Sequence, residues 1–447
     1  MPATAADFPA VFPALAYADR TSVRTAQPSM SVEDIKRGID EAAGLPLARA
    51  RTLPAQAYTS EEFFEWETAH LLRAGWQCVA HISQIPRPGD FLNLDLLGEP
   101  LIAVHDKDGQ VRVLSRVCPH RSMDIMPAGF GYEGHGPAEA KPDTPACGHT
   151  RIFLCPYHAW TFELDGRLKA CPEMHRAEGF ARDEYGLKTF RSEIWEGFVF
   201  VNIDGQAPPL AAGLAGMAAD LGAFRPADMQ VVIAREWDCT FNWKVLVENF
   251  MESYHHLGIH HKTLQPMMPA RDTWTEQERR HYVRAHLPYK DAVRDEYRAF
   301  EDRGDFSDDL PPVPNLSETQ KFEWGLFLFH PTFLLASAPD RLIWYRLQPL
   351  GPNRLKLLTT TLFPSAVVAR ENFARLREKA AQSLVDFHLE DMEVCTAVQR
   401  GLYASGWQPG RLSHLEMPVW LFHRYLAARI RGVWPTDDQT PAASQRP

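Results

Sequence analysis

No run of about 18 uninterrupted apolar residues occurs in this chain, so no membrane-spanning helix is expected. There is no basic excess either. The 47 Lys and Arg stand against 57 Asp and Glu, and the net charge of −10 argues against a nucleic-acid partner. The opening stretch, MPATAADFPAVFPALAYADR, places no basic residues ahead of an apolar core, so no secretory signal is expected. Seven scattered cysteines, an odd number, do not make a disulfide framework. Free thiols fit a reducing, cytoplasmic setting. No G-x-G-x-x-G follows a strand-like segment, so a dinucleotide-binding fold is not expected in this chain.

Two short segments carry a first chemistry: Cys118-Pro119-His120 and Cys155-Pro156-Tyr157-His158. Four Cys and His ligands of this kind suit zinc or a Rieske [2Fe–2S] centre, in which two Cys hold one iron and two His the other. Zinc fingers group Cys with Cys and His with His. Here each loop supplies one of each, so two opposed loops can clamp a two-iron cluster, and the Rieske reading is preferred. A competing first pair exists in Cys147-Gly148-His149, only five residues before Cys155.

A second constellation lies in Glu248-Asn249-Phe250-Met251-Glu252-Ser253-Tyr254-His255-His256-Leu257-Gly258-Ile259-His260-His261. Two His and a carboxylate on one face of an iron(II) ion leave positions open for O₂. The residues alone leave the choice open. His256 and His260 would share one face of an unbroken helix, but Gly258 weakens that helix. A carboxylate must come from elsewhere, and Glu390-Asp391-Met392-Glu393 is a candidate run.

With 447 residues and 45% hydrophobic content, two domains are expected. Residues 1–51 read as an Ala- and Pro-rich arm, extended, packed on a neighbour or partly disordered, with one helix over 31–43. FLNLDL, LIAVHD, VRVLSRV and FVFVNI read as strands of a small antiparallel β domain, and 52–205 is assigned to it. Residues 129–150, rich in Gly, Pro and Ala, read as a surface excursion. Residues 206–447 read as strands at 323–337, 340–349 and 355–364, with a long helix over 370–402. The fold class is therefore α+β.

These motifs resemble those of Rieske non-haem iron oxygenase α subunits, the ring-hydroxylating and choline-monooxygenase-like family, from about Thr52 to about Trp434. The resemblance implies an antiparallel β Rieske domain and a helix-grip catalytic domain, an antiparallel sheet with a long C-terminal helix. It assigns Cys118, His120, Cys155 and His158 to the cluster, Arg121 completing a C-x-H-R. The 34-residue gap from His120 to Cys155 is longer than the family pattern. The family spacing selects His255 and His260 for iron. Its E-D…C…V-Q-R-G-L helix selects Asp391, with Asp386 a weaker rival and Glu390 and Glu393 on a solvated face. In the family an acid at position 252 bridges the cluster His of one subunit to the iron His of the next, which implies a ring-shaped homotrimer. Glu252 stands where Asp is commoner. Asn242-Trp243-Lys244 and Asn249 match further motifs, Asn249 either as support or in a direct role.

The implied function is the oxygenase component of an NAD(P)H-dependent system. A separate flavin reductase, directly or through a ferredoxin, feeds the [2Fe–2S] cluster, and the mononuclear Fe(II) uses O₂ to hydroxylate or N-demethylate a small organic substrate. Quaternary-ammonium or N-methyl compounds are preferred over aromatic rings. A Rieske electron-transfer protein without oxygenase activity is the remote alternative. The aromatic run Phe322, Trp324, Phe327, Phe329 and Phe333, with Tyr345, supplies candidates for the pocket. On one strand Phe322 and Trp324 would face one side, and Phe327 and Phe329 the other.

Overall fold

The computed structural model describes residues 12–16, 27–126, 147–276, 281–304 and 306–434. The chain divides into two compact units, Trp76–Ala207 and the remainder from either side of it. Of the excursion expected at 129–150, only residues 147–150 are among those described.

The unit Trp76–Ala207 is built on a seven-stranded antiparallel sheet. Its order is Trp76–His81, Phe198–Asn202, Thr189–Trp195, Val111–Ser115, Glu99–His105, Asp90–Leu96 and Cys147–His149. A three-stranded sheet of Phe153–Leu154, Thr161–Phe162 and Leu168–Ala170 completes it. Between the sheets lies a core of Phe91, Ile102, Val104, Leu114, Phe153, Trp160, Phe162 and Leu187, and Cys118 and Cys155 are buried within it.

The second unit contains an eight-stranded sheet. Its order is Phe12–Ala16, Met229–Cys239, Arg354–Pro364, Arg341–Gly351, Phe333–Ala338, Glu323–Phe329, Tyr282–Pro288 and Trp274–Thr275, antiparallel throughout save for the first pair. Residues 323–337 form two strands of a hairpin because Pro331 cannot donate to the ladder. The helix Phe373–Leu402 lies on this sheet along a stripe of Leu376, Ala380, Leu384, His388, Met392, Cys395 and Gln399, spaced three or four residues apart. This is the α+β arrangement expected from the sequence.

Helix Val32–Ala43 starts at Ser31, whose hydroxyl accepts from the N–H of Asp34, and buries Ile35, Ile39 and Ala42. It packs along helix Met417–Ile430 of its own chain. Within residues 27–51, what was expected as an arm is therefore docked. Residues 52–75 group with the second unit, whereas the sequence reading put them in a 52–205 domain. A buried polar cluster ties them to it. Lys244 Nζ lies 2.8 Å and 2.5 Å from the two carboxylate oxygens of Glu67, whose Oε1 also accepts from Trp243 Nε1 at 2.8 Å. Tyr58 donates to Glu248 at 2.6 Å, and Asn242 Nδ2 donates to the carbonyls of Tyr58 and Pro352. Burial pushes Glu67 up and Lys244 down, and each charge opposes the other's shift.

Among the described residues, no helix is long and apolar enough to cross a membrane. Glu67→Ala should cost about 3–5 kcal/mol, because it strands the Lys244 ammonium in the core. Urea denaturation measures this, and a loss below about 1 kcal/mol would deny the pair its anchoring role.

Candidate metal centres

Two short loops of the first unit repeat one backbone design. The Cys118 N–H donates to Met123 O at 2.8 Å, and the Ser122 N–H to Cys118 O at 3.0 Å. In the second loop the Cys155 N–H donates to Trp160 O at 2.8 Å, and the Ala159 N–H to Cys155 O at 3.1 Å. Ser122 and Ala159, each four residues past its Cys, both adopt the left-handed conformation, with φ of 54° and 58°. A non-glycine residue pays for that backbone, so its repetition marks a constrained site.

The loops bring Cys118 beside Cys155 and set the His120 and His158 rings edge to face, 4.6 Å between centroids. Burial first, and then the Cys155 thiol, push Cys118 up to about 11, while the N–H groups of His120 and Arg121 point at its sulfur and oppose the rise. His120 stacks on Trp160 at 4.7 Å. Nδ1 of His120 and Nδ1 of His158 are both buried, and neither has a hydrogen-bond partner among the described residues. Two orphaned imidazole nitrogens and two buried sulfurs, one of each from either loop, fit the donor set of a Rieske cluster. Cys147 and His149 lie instead on a strand. His149 Nδ1 is 2.9 Å from Asp90 Oδ1, and Cys147 pairs with Leu92 in the sheet.

In the second unit, Asn242 caps helix Trp243–Met251, and the chain turns extended at Glu252. Glu252 then organises the following turn. One oxygen accepts from the N–H groups of Tyr254 and His255, and the other lies 2.6 Å from His255 Nδ1. His260 Nδ1 is held in the same manner, 2.6 Å from Glu390 Oε2, and Thr263 donates to that oxygen at 2.7 Å. Both imidazoles thus turn Nε2 toward Asp391, whose Oδ1 is 3.0 Å from His260 Nε2 and 3.6 Å from His255 Nε2. His255, His260 and Asp391 offer three ligand atoms within 4.8 Å of one another.

Burial works against the charged form of His255, but Glu252 and then Asp391 outweigh it and raise its pKa. Burial would raise Asp391, but the hydrogen bond with His260 and the charge of His255 outweigh it and lower the pKa. Two imidazoles and one carboxylate, each imidazole braced at Nδ1 by a second carboxylate, fit an iron(II) ion with open positions.

The remaining candidates separate clearly. His256 is buried, lowered to about 3 chiefly by desolvation, with Nδ1 3.3 Å from Met268 O. His261 is exposed, its ring held on Gly258 O. Asp386 accepts from Gln382 away from the cluster of ligands. Glu390 was expected on a solvated face and instead braces His260. The sequence held one signal for this, its place beside Asp391, but the partner is 130 residues away.

A cavity with about 50 Å³ of free space adjoins the His255, His260 and Asp391 set. Its walls include Asn249, Phe250, Trp324, Tyr345, Phe387 and His388. Trp324 reaches it while Phe327 is buried on the opposite face, as alternation requires. Phe322 lies outside the strand and packs under Arg294 and Arg298. A larger cavity of about 640 Å³, between residues 43–47 and helix Met417–Ile430, is lined by none of His255, His260 and Asp391.

Residues 75–191 match the Rieske [2Fe–2S] domain, and residues 226–432 match the ring hydroxylating alpha subunit (catalytic domain). The chain is 32% identical over 210 residues to the carnitine monooxygenase oxygenase subunit of Acinetobacter baumannii, an alignment covering 46% of this chain and 52% of that one. It thus spans about half the length of that relative. With the chloroplastic choline monooxygenase of Arabidopsis thaliana it is 24% identical over 416 residues, 90% of this chain and 88% of the other. The solved structure of a quaternary ammonium Rieske monooxygenase superposes with a TM-score of 0.68 at 23% identity, over 90% of this chain and all of that one, a likeness of fold. A Rieske domain followed by this catalytic domain is the make-up of Rieske non-haem iron oxygenase α subunits, and the chain belongs to that family.

Proposed function

We propose that the protein is the oxygenase component of a Rieske system that hydroxylates or oxidatively N-demethylates a small quaternary-ammonium or N-methyl compound. Cys118, His120, Cys155 and His158 hold the [2Fe–2S] cluster, and His255, His260 and Asp391 hold the mononuclear iron. When bound, the cluster supplies single electrons and the iron supplies reduction of O₂ beside the substrate. Those electrons come from NADH or NADPH through a separate flavin reductase, directly or through a ferredoxin.

The observation that carries the substrate reading is the wall of the smaller cavity. Phe250, Trp324, Tyr345 and Phe387 line it, and among the described residues no Lys or Arg does. Aromatic faces attract an alkylammonium group. The similarity to carnitine and choline monooxygenases points the same way. The apolar walls equally suit an arene, and aromatic hydroxylation is the second reading.

The chain's own residues position the reaction. Glu252 and Glu390 hold both imidazoles in one orientation, and Leu246, Leu264, Leu287, Leu326 and Ile343 exclude water from the cavity. Exposed apolar side chains flank both centres: Leu154 and Tyr157 beside the cluster loop, Tyr254 and Leu257 on the iron turn. Such surfaces support a homotrimeric ring in which the cluster loop of one copy meets the iron turn of the next, with Glu252 between the two His.

Iron analysis tests the ligands. Wild type and Cys147→Ser should hold about three irons per chain, Asp391→Ala about two, and Cys118→Ser about one, the cluster counting for two of them. Loss of the cluster in Cys147→Ser would reassign the first pair. Glu252→Gln should retain all three irons yet slow turnover, read as delayed reoxidation of the cluster in single-turnover mixing. An unchanged rate would remove the bridging role. For substrate, the reduced protein is mixed with O₂ and either N-methylated amines or aromatic acids. Formaldehyde and a demethylated amine support the ammonium reading, and a hydroxylated arene overturns it.

A further inference from the structure

Besides Asn249, the cavity beside the iron set is lined, among the described residues, by a hydrogen-bonded polar pair that includes none of the ligands. Tyr345, on strand Arg341–Gly351, is 4% exposed, and its hydroxyl lies 3.1 Å from Nδ1 of His388, which is fully buried on helix Phe373–Leu402. Both side chains line the cavity. Nε2 of His388 has no hydrogen-bond partner among the described residues. Trp324, another polar wall residue, spends its N–H on Tyr289 at 2.8 Å.

Burial depresses His388 to about 4, so its ring is neutral, with one donor and one acceptor nitrogen. A single bond between this ring and Tyr345 leaves capacity on both partners. If Tyr345 donates, its oxygen still accepts. If it accepts, its proton is free to donate. A buried polar pair with unmet hydrogen bonds calls for a partner. The Tyr345 ring packs on Phe250, 5.0 Å away, and stands perpendicular to the His388 ring at 5.4 Å. His388 precedes Asp391 by three residues, about 4.5 Å along the helix axis. Tyr345 and the His255, His260 and Asp391 set thus line one cavity.

We infer that the Tyr345 hydroxyl, backed by His388, is the polar anchor of this cavity and selects a compact substrate bearing an uncharged oxygen, a hydroxyl or a carbonyl. A carboxylate is disfavoured, because among the described residues no Lys or Arg lines the cavity to pair with it. The inference rests on the proposed substrate cavity and adds its specificity element. Tyr345 touches substrate, and His388 acts through Tyr345.

The test is calorimetric binding to the reduced, metal-loaded protein without air, so that turnover is not the readout. The probes are 2-hydroxyethyl-trimethylammonium, ethyltrimethylammonium, trimethylammonium acetate, benzyl alcohol and toluene. Wild type should bind the hydroxyl member of each matched pair about tenfold more tightly, and Tyr345→Phe should bring the members of a pair to near equality. Should Tyr345→Phe fail to fold, His388→Leu is read for the same loss of preference. A merely structural role would weaken both members of a pair alike, which overturns the inference, as does equal binding in wild type. Tighter binding of the acetate than of the alcohol overturns the exclusion of carboxylates. If the hydroxyl preference holds but the aromatic pair binds better than the ammonium pair, the anchor stands and the ammonium reading falls.

Discussion

Carboxylates hydrogen-bonded to the far nitrogen of an imidazole are the constraint on which the iron site depends. Glu252 on His255 and Glu390 on His260 leave each ring one free nitrogen and one direction in which to present it. Asp391 lies where those directions meet. Without the two braces, His255, His256, His260 and His261 would be four imidazoles within seven residues and no defined site. The braces come from different places: Glu252 from the end of the helix that delivers the turn, Glu390 from a helix far along the chain.

Support for that arrangement reaches well back from the metal. The buried Glu67–Lys244 pair and the Tyr58–Glu248 hydrogen bond hold the helix that ends in Glu252. Gln399, on the same long helix as Asp391, accepts from the N–H of Asn242, the residue that caps the first turn of Trp243–Met251. The helix that leads into the His turn and the helix that carries Asp391 are thereby set against each other by polar bonds with directions, where apolar packing alone would let them slide. The cluster loops use a different device, a repeated backbone turn with a left-handed residue at the same step in each.

Much of this was legible because the chemistry is local. Cys-x-His and Cys-x-x-His place a thiol and an imidazole within one loop each, and Glu252 stands three residues before the His it braces. The resemblance carried by these motifs also reached Asp391 on the far helix. What was not legible involved choices between similar residues. Cys147-Gly148-His149 has ligand spacing, yet its register in the sheet sets His149 on Asp90. Glu390 and Glu393 look alike in sequence, and only Glu390 faces Thr263 and His260. Of the aromatic run only Trp324 lines the cavity among the described residues, because Phe322 falls outside the strand and alternation turns Phe327 and Phe329 to the other face.

By itself the sequence determined the chemistry available: two thiols, imidazoles in pairs, acids at family spacing, and no nicotinamide-binding glycine loop. It determined the α+β class too, since alternation and helical spacing are properties of short windows. Only the tertiary structure decided which imidazole nitrogen is free, which acid braces it, and that Tyr345 and His388 share one buried bond. Those decisions depend on side chains brought together from strands and helices distant in the chain, where a displacement of an ångström or a single step of register changes the partner.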